Sequence, residues 1–289
     1  MKKLLILSGK GGTGKTTITN ALIELFHPSG FADCDVDAPN LHLLRNNMKI
    51  KSEHIFYGMK LASIDHSLCI KCGLCYDHCA FNAIHKNEDF SINPFACDGC
   101  GLCERICPVK AIQMIDKEAG IIQLLQQNNQ FFSTATLKIG SGNSGLLVTE
   151  VKKQLKNVIK SGLIIIDGSP GIGCPVIASL SEIDACLMVS EPTVSGFNDL
   201  KRIVITAQNV HPMIFVCVNK YDINEIITKQ IEAYCEKEKL AFIGKIPYDS
   251  SIAHQQNQGN SVMDSSTRFS KSITSIYLEI KSRIGEYEI

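Results

Sequence analysis

The sequence predicts an α/β protein with a doubly wound, mostly parallel sheet and a small inserted α+β domain. Three observations support this prediction: short apolar runs recur along the chain, a glycine-rich turn follows the first of them, and a cysteine-rich repeat interrupts the pattern. The chain has 289 residues, of which 45% are hydrophobic, and this is enough to build a packed core without disulfides.

The apolar runs have the length typical of buried parallel strands, and the stretches between them are long enough for helical crossovers. The runs lie at residues 4–7, 163–166, 185–189, 214–218 and 241–246. Helical spacing predicts helices over residues 16–26, 145–159 and 268–284. The last of these has one apolar face, which indicates a terminal helix that packs onto the sheet.

The balance of charge excludes any general attraction to polyanions. Lysine plus arginine total 29 and aspartate plus glutamate total 29, so net charge favours neither nucleic acid nor an anionic membrane. The first apolar run ends at Ser8, too early for a signal peptide, and no run approaches the roughly 20 residues of a spanning helix. We expect a cytoplasmic protein with no specific nucleic-acid partner and no integral membrane association.

The glycine-rich turn fits the phosphate-binding pattern G-x-x-x-x-G-K-[ST], and it stands between the first predicted strand and a predicted helix. Its residues are Gly9, Lys10, Gly11, Gly12, Thr13, Gly14, Lys15 and Thr16. In such a loop the backbone N–H groups face the phosphates. Lys15 is expected to reach the β and γ phosphates, and the Thr16 hydroxyl to bind Mg²⁺. A chance glycine-rich turn is the alternative, which the strand–turn–helix context disfavours.

Lys10 makes the loop a K-G-G-x-G-K-T variant, which resembles the MinD/ParA superfamily of P-loop ATPases, a SIMIBI-type group that also includes the nitrogenase iron protein. The resemblance implies ATP hydrolysis and an ATP-dependent homodimer, in which Lys10 contacts the nucleotide of the facing subunit. A second cation at the phosphates would neutralise charge on the transferring oxygens. The alternative for Lys10 alone is a solvated loop lysine.

Further segments resemble the same family in order. Residues 33–41 resemble the first switch, where Asp35 would orient the attacking water and Asp37 is a second candidate. Residues 163–171 resemble the strand end that carries the Mg²⁺-linked aspartate, Asp167, and the second switch. The implied catalytic residues are Lys10, Lys15, Asp35 and Asp167. The segments that frame adenine and complete the site would supply Thr17, Asn219, Pro247 and Asp249.

The identity of the nucleotide base has a second interpretation. Residues 219–222 read Asn-Lys-Tyr-Asp, which also mimics a guanine-reading motif. The order of all the matching segments follows the MinD/ParA pattern, so we expect ATP.

Eight of the thirteen cysteines lie between Cys69 and Cys107, in two runs that repeat with a period of 28 residues. Each run has the C-x₂-C-x₂-C-x₃-C spacing of bacterial ferredoxins, in which the fourth cysteine of one run ligates the cluster of the other. The expected ligand sets for two [4Fe-4S] clusters are Cys69, Cys72, Cys75 and Cys107, and Cys97, Cys100, Cys103 and Cys79. Zinc is the alternative, which two complete runs at this spacing disfavour.

The repeat defines the expected domains: residues 1–59 and 118–289 form the ATPase domain, and residues 60–117 form an inserted ferredoxin-like domain. The second run ends in Cys107-Pro108, as two-cluster ferredoxins usually do, whereas Cys79 is followed by Ala80. This departure leaves ligation intact and puts the potential of the second cluster in doubt. His78 is interpreted as a surface residue and not as a ligand.

Outside the repeat, Cys186 and Cys217 lie in apolar runs and are expected to be small buried hydrophobes. Cys174 follows the glycine-rich second switch. The resemblance to the nitrogenase iron protein would make it the ligand of a third cluster that bridges two subunits, and a small residue that fits after a turn is the simpler alternative.

The sequence therefore predicts an ATP-hydrolysing iron–sulfur protein that couples nucleotide state to electron transfer, or to maturation of a metal cofactor on a partner protein. The setting would be anaerobic or low in oxygen. A positioning or partitioning ATPase of the MinD/ParA kind, whose clusters sense redox state, is a different class of prediction. A ferredoxin with an inactive nucleotide domain is a third, which the presence of Lys15, Thr16, Asp35 and Asp167 disfavours.

Overall fold

The computed structural model describes residues 1–45, 47–263 and 267–285. The chain divides into two compact units. The first comprises residues 1–53, 122–136 and 144–289, and the second comprises residues 54–121 and 137–143. The predicted insertion, residues 60–117, falls within the range of the second unit.

The main sheet has nine strands in the order β13-β12-β11-β1-β10-β2-β9-β8-β3. All five predicted apolar runs are strands of this sheet. The strands of the chain are β1 (Lys2–Ser8), β2 (Gly30–Asp33), β3 (Lys49–Tyr57), β4 (Leu61–Ile64), β5 (Ile84–Lys86), β6 (Phe90–Ile92), β7 (Ile112–Ile115), β8 (Glu118–Gln127), β9 (Gln130–Leu137), β10 (Leu163–Asp167), β11 (Ala185–Ser190), β12 (Met213–Asn219) and β13 (Ala241–Ile246).

Strand β1 lies between β10 and β11 and is parallel to both. The pairs β10–β2, β11–β12, β12–β13 and β2–β9 are parallel as well, so the predicted mostly parallel sheet is confirmed. The register pairs Asp167 at the end of β10 with Asp33 at the end of β2. Parallel strands therefore bring two aspartates to one edge of the sheet, beside the turn that follows β1.

The three predicted helices are present within one residue of their predicted starts and ends. The α-helices are α1 (Lys15–Phe26), α2 (Leu74–Asp77), α3 (Leu102–Ile106), α4 (Ser144–Val158), α5 (Cys174–Leu180), α6 (Val194–Gln208), α7 (Glu225–Lys237), α8 (Ser251–Asn257) and α9 (Arg268–Ile284). Two short 3₁₀ segments lie at Leu41–Leu44 and Tyr221–Ile223.

The terminal helix α9 packs on the core of the first unit, as its apolar face predicts. Ile273, Ile276 and Ile280 are fully buried, and they belong to the same hydrophobic cluster as residues of β1 and α1. The Tyr277 ring meets the Phe26 ring edge-on at 4.6 Å between centroids. Within the described residues, no helix has the combined length and apolarity that crossing a membrane requires.

The second unit contains two small antiparallel sheets, β4–β7 and β5–β6. Its two helices are single turns, and each begins after a glycine in the left-handed region: Gly73 at φ 84° before α2 and Gly101 at φ 73° before α3. These glycines occupy equivalent positions of the 28-residue repeat. Only glycine adopts this conformation without strain, so both halves of the repeat turn at the same point.

Candidate nucleotide site and cysteine cavities

The glycine-rich turn joins β1 to α1, which is the placement a phosphate-binding loop requires. Gly12 and Gly14 have φ values of 80° and 84°. A Cβ at Gly14 would lie 2.4 Å from Asn219 Nδ2, whereas a Cβ at Gly11 or Gly12 would meet nothing within 4 Å. Position 14 thus needs glycine for close packing, and positions 11 and 12 line open space.

Asp167 is the centre of a buried polar network at this loop. Its Oδ1 lies 2.6 Å from Lys15 Nζ, and its Oδ2 accepts a hydrogen bond from Thr16 Oγ1 at 2.7 Å. Thr19 Oγ1 donates to Oδ1 at 2.8 Å. Lys15 and Asp167 are almost fully buried, so each charge has its partner within the protein. Thr19 was not predicted, although it lies one helical turn after Lys15 and so faces the same way.

Asp33 was missed as a site residue, and it organises the predicted first switch. Its carboxylate accepts backbone N–H bonds from Asp35 at 3.0 Å, from Asn40 at 3.0 Å and from Leu41 at 2.9 Å. Burial, and then the nearby charge of Asp167, raise the pKa of Asp33 from 3.8 to about 6. An aspartate that closes a four-residue strand gives little sequence signal, because many strands end in such turns.

The two aspartates predicted to act in the first switch differ in exposure. Asp35 is half-buried, and burial is the main cause that raises its pKa above the usual 3.8, with Asp167 and Asp37 adding to the rise and Lys15 opposing it. Asp37 is exposed. Asp35 is therefore close enough to Lys15 and Asp167 to feel their charges, and its role with water stays a prediction.

A cavity beside the loop is lined by Gly14 and Thr17, which were predicted to bind the nucleotide, and by Asn219, Pro247 and Asp249 of the segments predicted to frame adenine. Asn219 Nδ2 donates to the Thr13 carbonyl at 2.7 Å and so ties this wall to the phosphate loop. Asp222, the acidic residue of the guanine-like motif, accepts the Tyr248 backbone N–H at 2.7 Å.

One buried hydroxyl of the loop has no hydrogen-bond partner among the described residues. Thr13 is 2% exposed, and its Oγ1 has no hydrogen-bond partner within residues 1–45, 47–263 and 267–285. A buried hydroxyl without a partner costs free energy unless a ligand satisfies it. Together with the open space at Gly11 and Gly12, this fits a phosphate group held by the loop.

Lys10 contacts an acidic residue that the sequence analysis did not single out. Its Nζ lies 3.2 Å from Glu191 Oε2, and the Nζ of Lys220 lies 2.5 Å from Oε1 of the same carboxylate. Lys10 is therefore neither fully solvated nor fully buried, with 33% of its side chain exposed.

In the second unit, the eight cysteines of the repeat surround two cavities. The first is lined by Cys69, Cys72, Cys75 and Cys107. The second is lined by Cys79, Cys97, Cys100 and Cys103, and Cys75 lines both cavities. The fourth cysteine of each run thus lies at the cavity of the other run, which is the crossed grouping that the sequence predicts.

Backbone contacts follow the same symmetry. The Ala83 N–H donates to Cys79 Sγ at 3.3 Å, and the Ala111 N–H donates to Cys107 Sγ at 3.2 Å. Burial raises the pKa of Cys75 and of Cys103 above the usual thiol value. Among the described residues, no three Cys, His, Asp or Glu side chains are grouped closely enough to hold a single metal ion. The donor set consists of thiols spread around cavities with mainly apolar walls, which fits [4Fe-4S] clusters.

The two cavity walls are built from different residues. The first is lined by cysteines, Gly73 and apolar side chains, whereas the second also has Asp98 and His78. His78 is exposed, and its Nδ1 lies 3.0 Å from the Leu74 carbonyl within its own helical turn.

The remaining cysteines lie outside both cavities. Cys186 and Cys217 are fully buried in the sheet, which confirms that they are small hydrophobic core residues. Cys34 and Cys235 are buried as well. Cys174 is exposed and is the first residue of α5. Of the described cysteines, none forms a disulfide.

A phosphate-binding loop after a central parallel strand, with an aspartate from the neighbouring strand bound to its lysine and threonine, defines a P-loop nucleotide-binding protein. The family model for the CobQ/CobB/MinD/ParA nucleotide binding domain matches residues 4–262. The chain belongs to this family, and its first unit is of the ParA/MinD ATPase type.

Two curated relatives extend over most of the chain. It is 34% identical to "Uncharacterized protein MJ0578" of Methanocaldococcus jannaschii over 98% of this chain and 97% of that protein. It is 26% identical to the iron-sulfur cluster carrier protein of Pyrococcus abyssi over 89% of this chain and 77% of that protein. Among solved structures, the septum site-determining protein MinD of Pyrococcus horikoshii, complexed with Mg-ADP, has a similar fold. Its TM-score is 0.59 at 17% identity, and the match covers 98% of this chain and 97% of that one.

Proposed function

We propose that the protein binds and hydrolyses ATP and carries two [4Fe-4S] clusters, and that it couples nucleotide state to electron transfer or to metal-cofactor maturation on a partner protein. One observation carries this proposal. The eight cysteines of the repeat line two cavities in the crossed grouping typical of two-cluster ferredoxins, in a chain that also holds a complete phosphate-loop network.

The nucleotide half of the proposal follows from the residues at the loop. Lys15 would exchange its bond to Asp167 for the β and γ phosphates, and Thr16 would bind the magnesium ion that accompanies ATP. Asp167 would then face that ion through the oxygens it now offers to Lys15 and Thr16. Asp35 would hold the attacking water, and Thr17, Asn219, Pro247 and Asp249 would frame the adenosine.

The cluster half of the proposal follows from the cysteine cavities. Cys69, Cys72, Cys75 and Cys107 would hold one cluster, and Cys97, Cys100, Cys103 and Cys79 the other. When bound, the clusters supply one-electron redox chemistry. The chain contributes mainly apolar walls that limit water, N–H groups of Ala83 and Ala111 that bond to sulfur, and glycine turns that let the loops wrap.

A partner protein is inferred because one chain would combine ATP hydrolysis with iron–sulfur redox chemistry. If ATP hydrolysis were not coupled to another reaction, the clusters would have no role. We therefore expect a partner protein that receives electrons or a metal cofactor. Similarity to a protein named iron-sulfur cluster carrier supports the maturation branch. The signature Lys10 supports an ATP-dependent homodimer, in which it would reach the nucleotide of the facing subunit.

Anaerobically prepared protein tests the proposal. We expect about eight iron and eight sulfide per chain, MgATP-dependent phosphate release, and cluster potentials that shift when MgATP is added. The matched control is the Lys15→Ala variant, whose potentials should not respond to MgATP. Zinc in place of iron, or a failure to bind ATP, would contradict the assignment. Equal potentials and equal partner reduction with and without MgATP would contradict the coupling alone.

A further inference from the structure

Two lysines at the phosphate loop share one carboxylate. Glu191 directly follows β11, and its side chain is 13% exposed. Oε2 lies 3.2 Å from Lys10 Nζ, and Oε1 lies 2.5 Å from Lys220 Nζ. Lys10 comes from the loop itself and Lys220 follows β12, so the carboxylate joins elements that lie far apart in the sequence.

The surrounding contacts fix this arrangement in place. Lys220 Nζ also donates to the Gly12 carbonyl at 3.3 Å, and Lys10 Nζ donates to Thr193 Oγ1 at 3.4 Å. Thr193 in turn caps α6 by accepting the Gly196 N–H at 3.0 Å. A Cβ at Gly196 would lie 2.6 Å from the Glu191 carbonyl, so the backbone here is tightly packed. The carboxylate is therefore presented from a rigid segment.

A carboxylate at this position competes with the phosphates of a nucleotide. Both are anions that attract the same lysines, and they repel one another when close. While Lys10 is paired with Glu191, it stays within its own subunit and does not contact the nucleotide of the facing subunit. The bond is only partly buried, so it is weak enough to be exchanged for a more highly charged anion.

We propose that Glu191 is a positioning residue that retains Lys10 within its own subunit until bound ATP releases it to act across the dimer. This inference rests on the proposed ATP binding and dimerisation. Glu191 thereby sets the ATP concentration at which the dimer forms. The alternative role is structural. In that role Glu191 would stabilise the loop through Lys220, whose Nζ donates to the Gly12 carbonyl.

The test uses the full-length protein and the Glu191→Gln variant, which keeps the shape of the side chain and removes its charge. The probes are MgATP affinity, measured by equilibrium binding, and the dimer fraction, measured by sedimentation. We expect Glu191→Gln to bind MgATP about fivefold more tightly and to dimerise at lower MgATP concentration. The matched control is Glu182→Gln, because Glu182 also contacts two lysines, Lys3 and Lys156, but is exposed. It should leave both measurements unchanged.

A double-mutant cycle separates the two roles. In a Lys10→Ala background the gain from Glu191→Gln should disappear, and in a Lys220→Ala background it should remain. A gain that persists without Lys10, or a Glu191→Gln variant that binds MgATP no more tightly than the wild type, would overturn the inference while leaving ATP binding itself intact. A wild-type protein that binds no MgATP would instead overturn the proposed function and this inference together.

Discussion

The phosphate loop and the cysteine cavities differ in how their functional side chains are satisfied. At the loop, Lys15 is paired with Asp167 and Lys10 with Glu191, so the charged groups have partners before any ligand arrives. In the cavities, the cysteines surround mainly apolar space, and backbone N–H groups such as those of Ala83 and Ala111 bond to their sulfurs. Under the proposed function, the loop would exchange existing bonds when it binds nucleotide, whereas the cysteine cavities would be completed by their clusters.

The largest expected effect follows from removal of the Lys15 charge, which should affect the phosphate loop and leave the cysteine cavities unchanged. Lys15→Ala should lower the rate of ATP hydrolysis by about 100-fold or more, because the transferring phosphate loses its main cation. It also leaves Asp167 buried without a counter-charge, so the free energy of unfolding of the first unit should fall by about 3 kcal/mol or more. Phosphate release and denaturant titration measure these effects.

Iron content should stay at the wild-type value in the Lys15→Ala variant, since the cysteine cavities do not involve this lysine. The control is Lys153→Ala, which removes a lysine that is 60% exposed and should change neither measurement. Wild-type hydrolysis in the Lys15→Ala variant would show that the loop is not the catalytic site.

The next effect tests the crossed grouping of the cysteines. Cys107→Ser and Cys79→Ser should each lower the iron content from about eight to about four per chain, because each variant loses the fourth ligand of one cluster. In the crossed grouping, Cys107→Ser should leave the same paramagnetic resonance signal as Cys72→Ser, and Cys79→Ser the same signal as Cys100→Ser. Cys235→Ala, outside both cavities, should keep the full iron content. A residual signal of Cys107→Ser that matches the signal of Cys100→Ser would contradict the crossed assignment.

A smaller effect concerns Asp33 and pH. Its pKa is raised from 3.8 to about 6 in the folded protein, so the folded form binds more protons than the unfolded form between these values. Stability therefore falls as pH rises from about 4 to about 6, by up to about 3 kcal/mol. Asp33→Asn should remove this slope.

The measurement for Asp33 is the free energy of unfolding by denaturant titration across this pH range, without nucleotide. Asp37→Asn is the control, because Asp37 is exposed, and it should keep the wild-type slope. A slope that is unchanged in Asp33→Asn would mean that another group titrates in this window.

The smallest effect is expected at Cys174. This cysteine is exposed and lies outside both cavities, so Cys174→Ser should keep about eight iron per chain. Iron and sulfide analysis of the MgATP-bound protein, compared with wild type, measures this. A reproducible excess of iron in the wild type that Cys174→Ser loses would instead establish a third cluster between subunits.

The sequence was most informative where a pattern has one physical cause. Short, continuous apolar runs predicted the central strands, and the placement of the glycine-rich turn predicted the loop between β1 and α1. It was least informative at the strands that lack such runs. β2 has only four residues, Gly-Phe-Ala-Asp, and β8 and β9 mix apolar residues with glutamines, so none of them was predicted.

The missed site residues depend on tertiary structure. Asp33 lies at the loop because the register places it beside Asp167, and Glu191 does so because two lysines from separate segments converge on it. Neither the strand register nor the convergence of the two lysines can be predicted from the local sequence. The cysteine grouping could be predicted from the sequence because the spacing restricts which thiols can share a cavity.

Three strands of the main sheet begin in one unit and end in the other: β3, β8 and β9 each cross a unit boundary. A deletion of residues 54–121 would cut through β3 and β8 and leave two broken strand ends in the sheet. Transferring the cysteine-bearing segment to another protein of this family would therefore require boundaries that lie outside these strands.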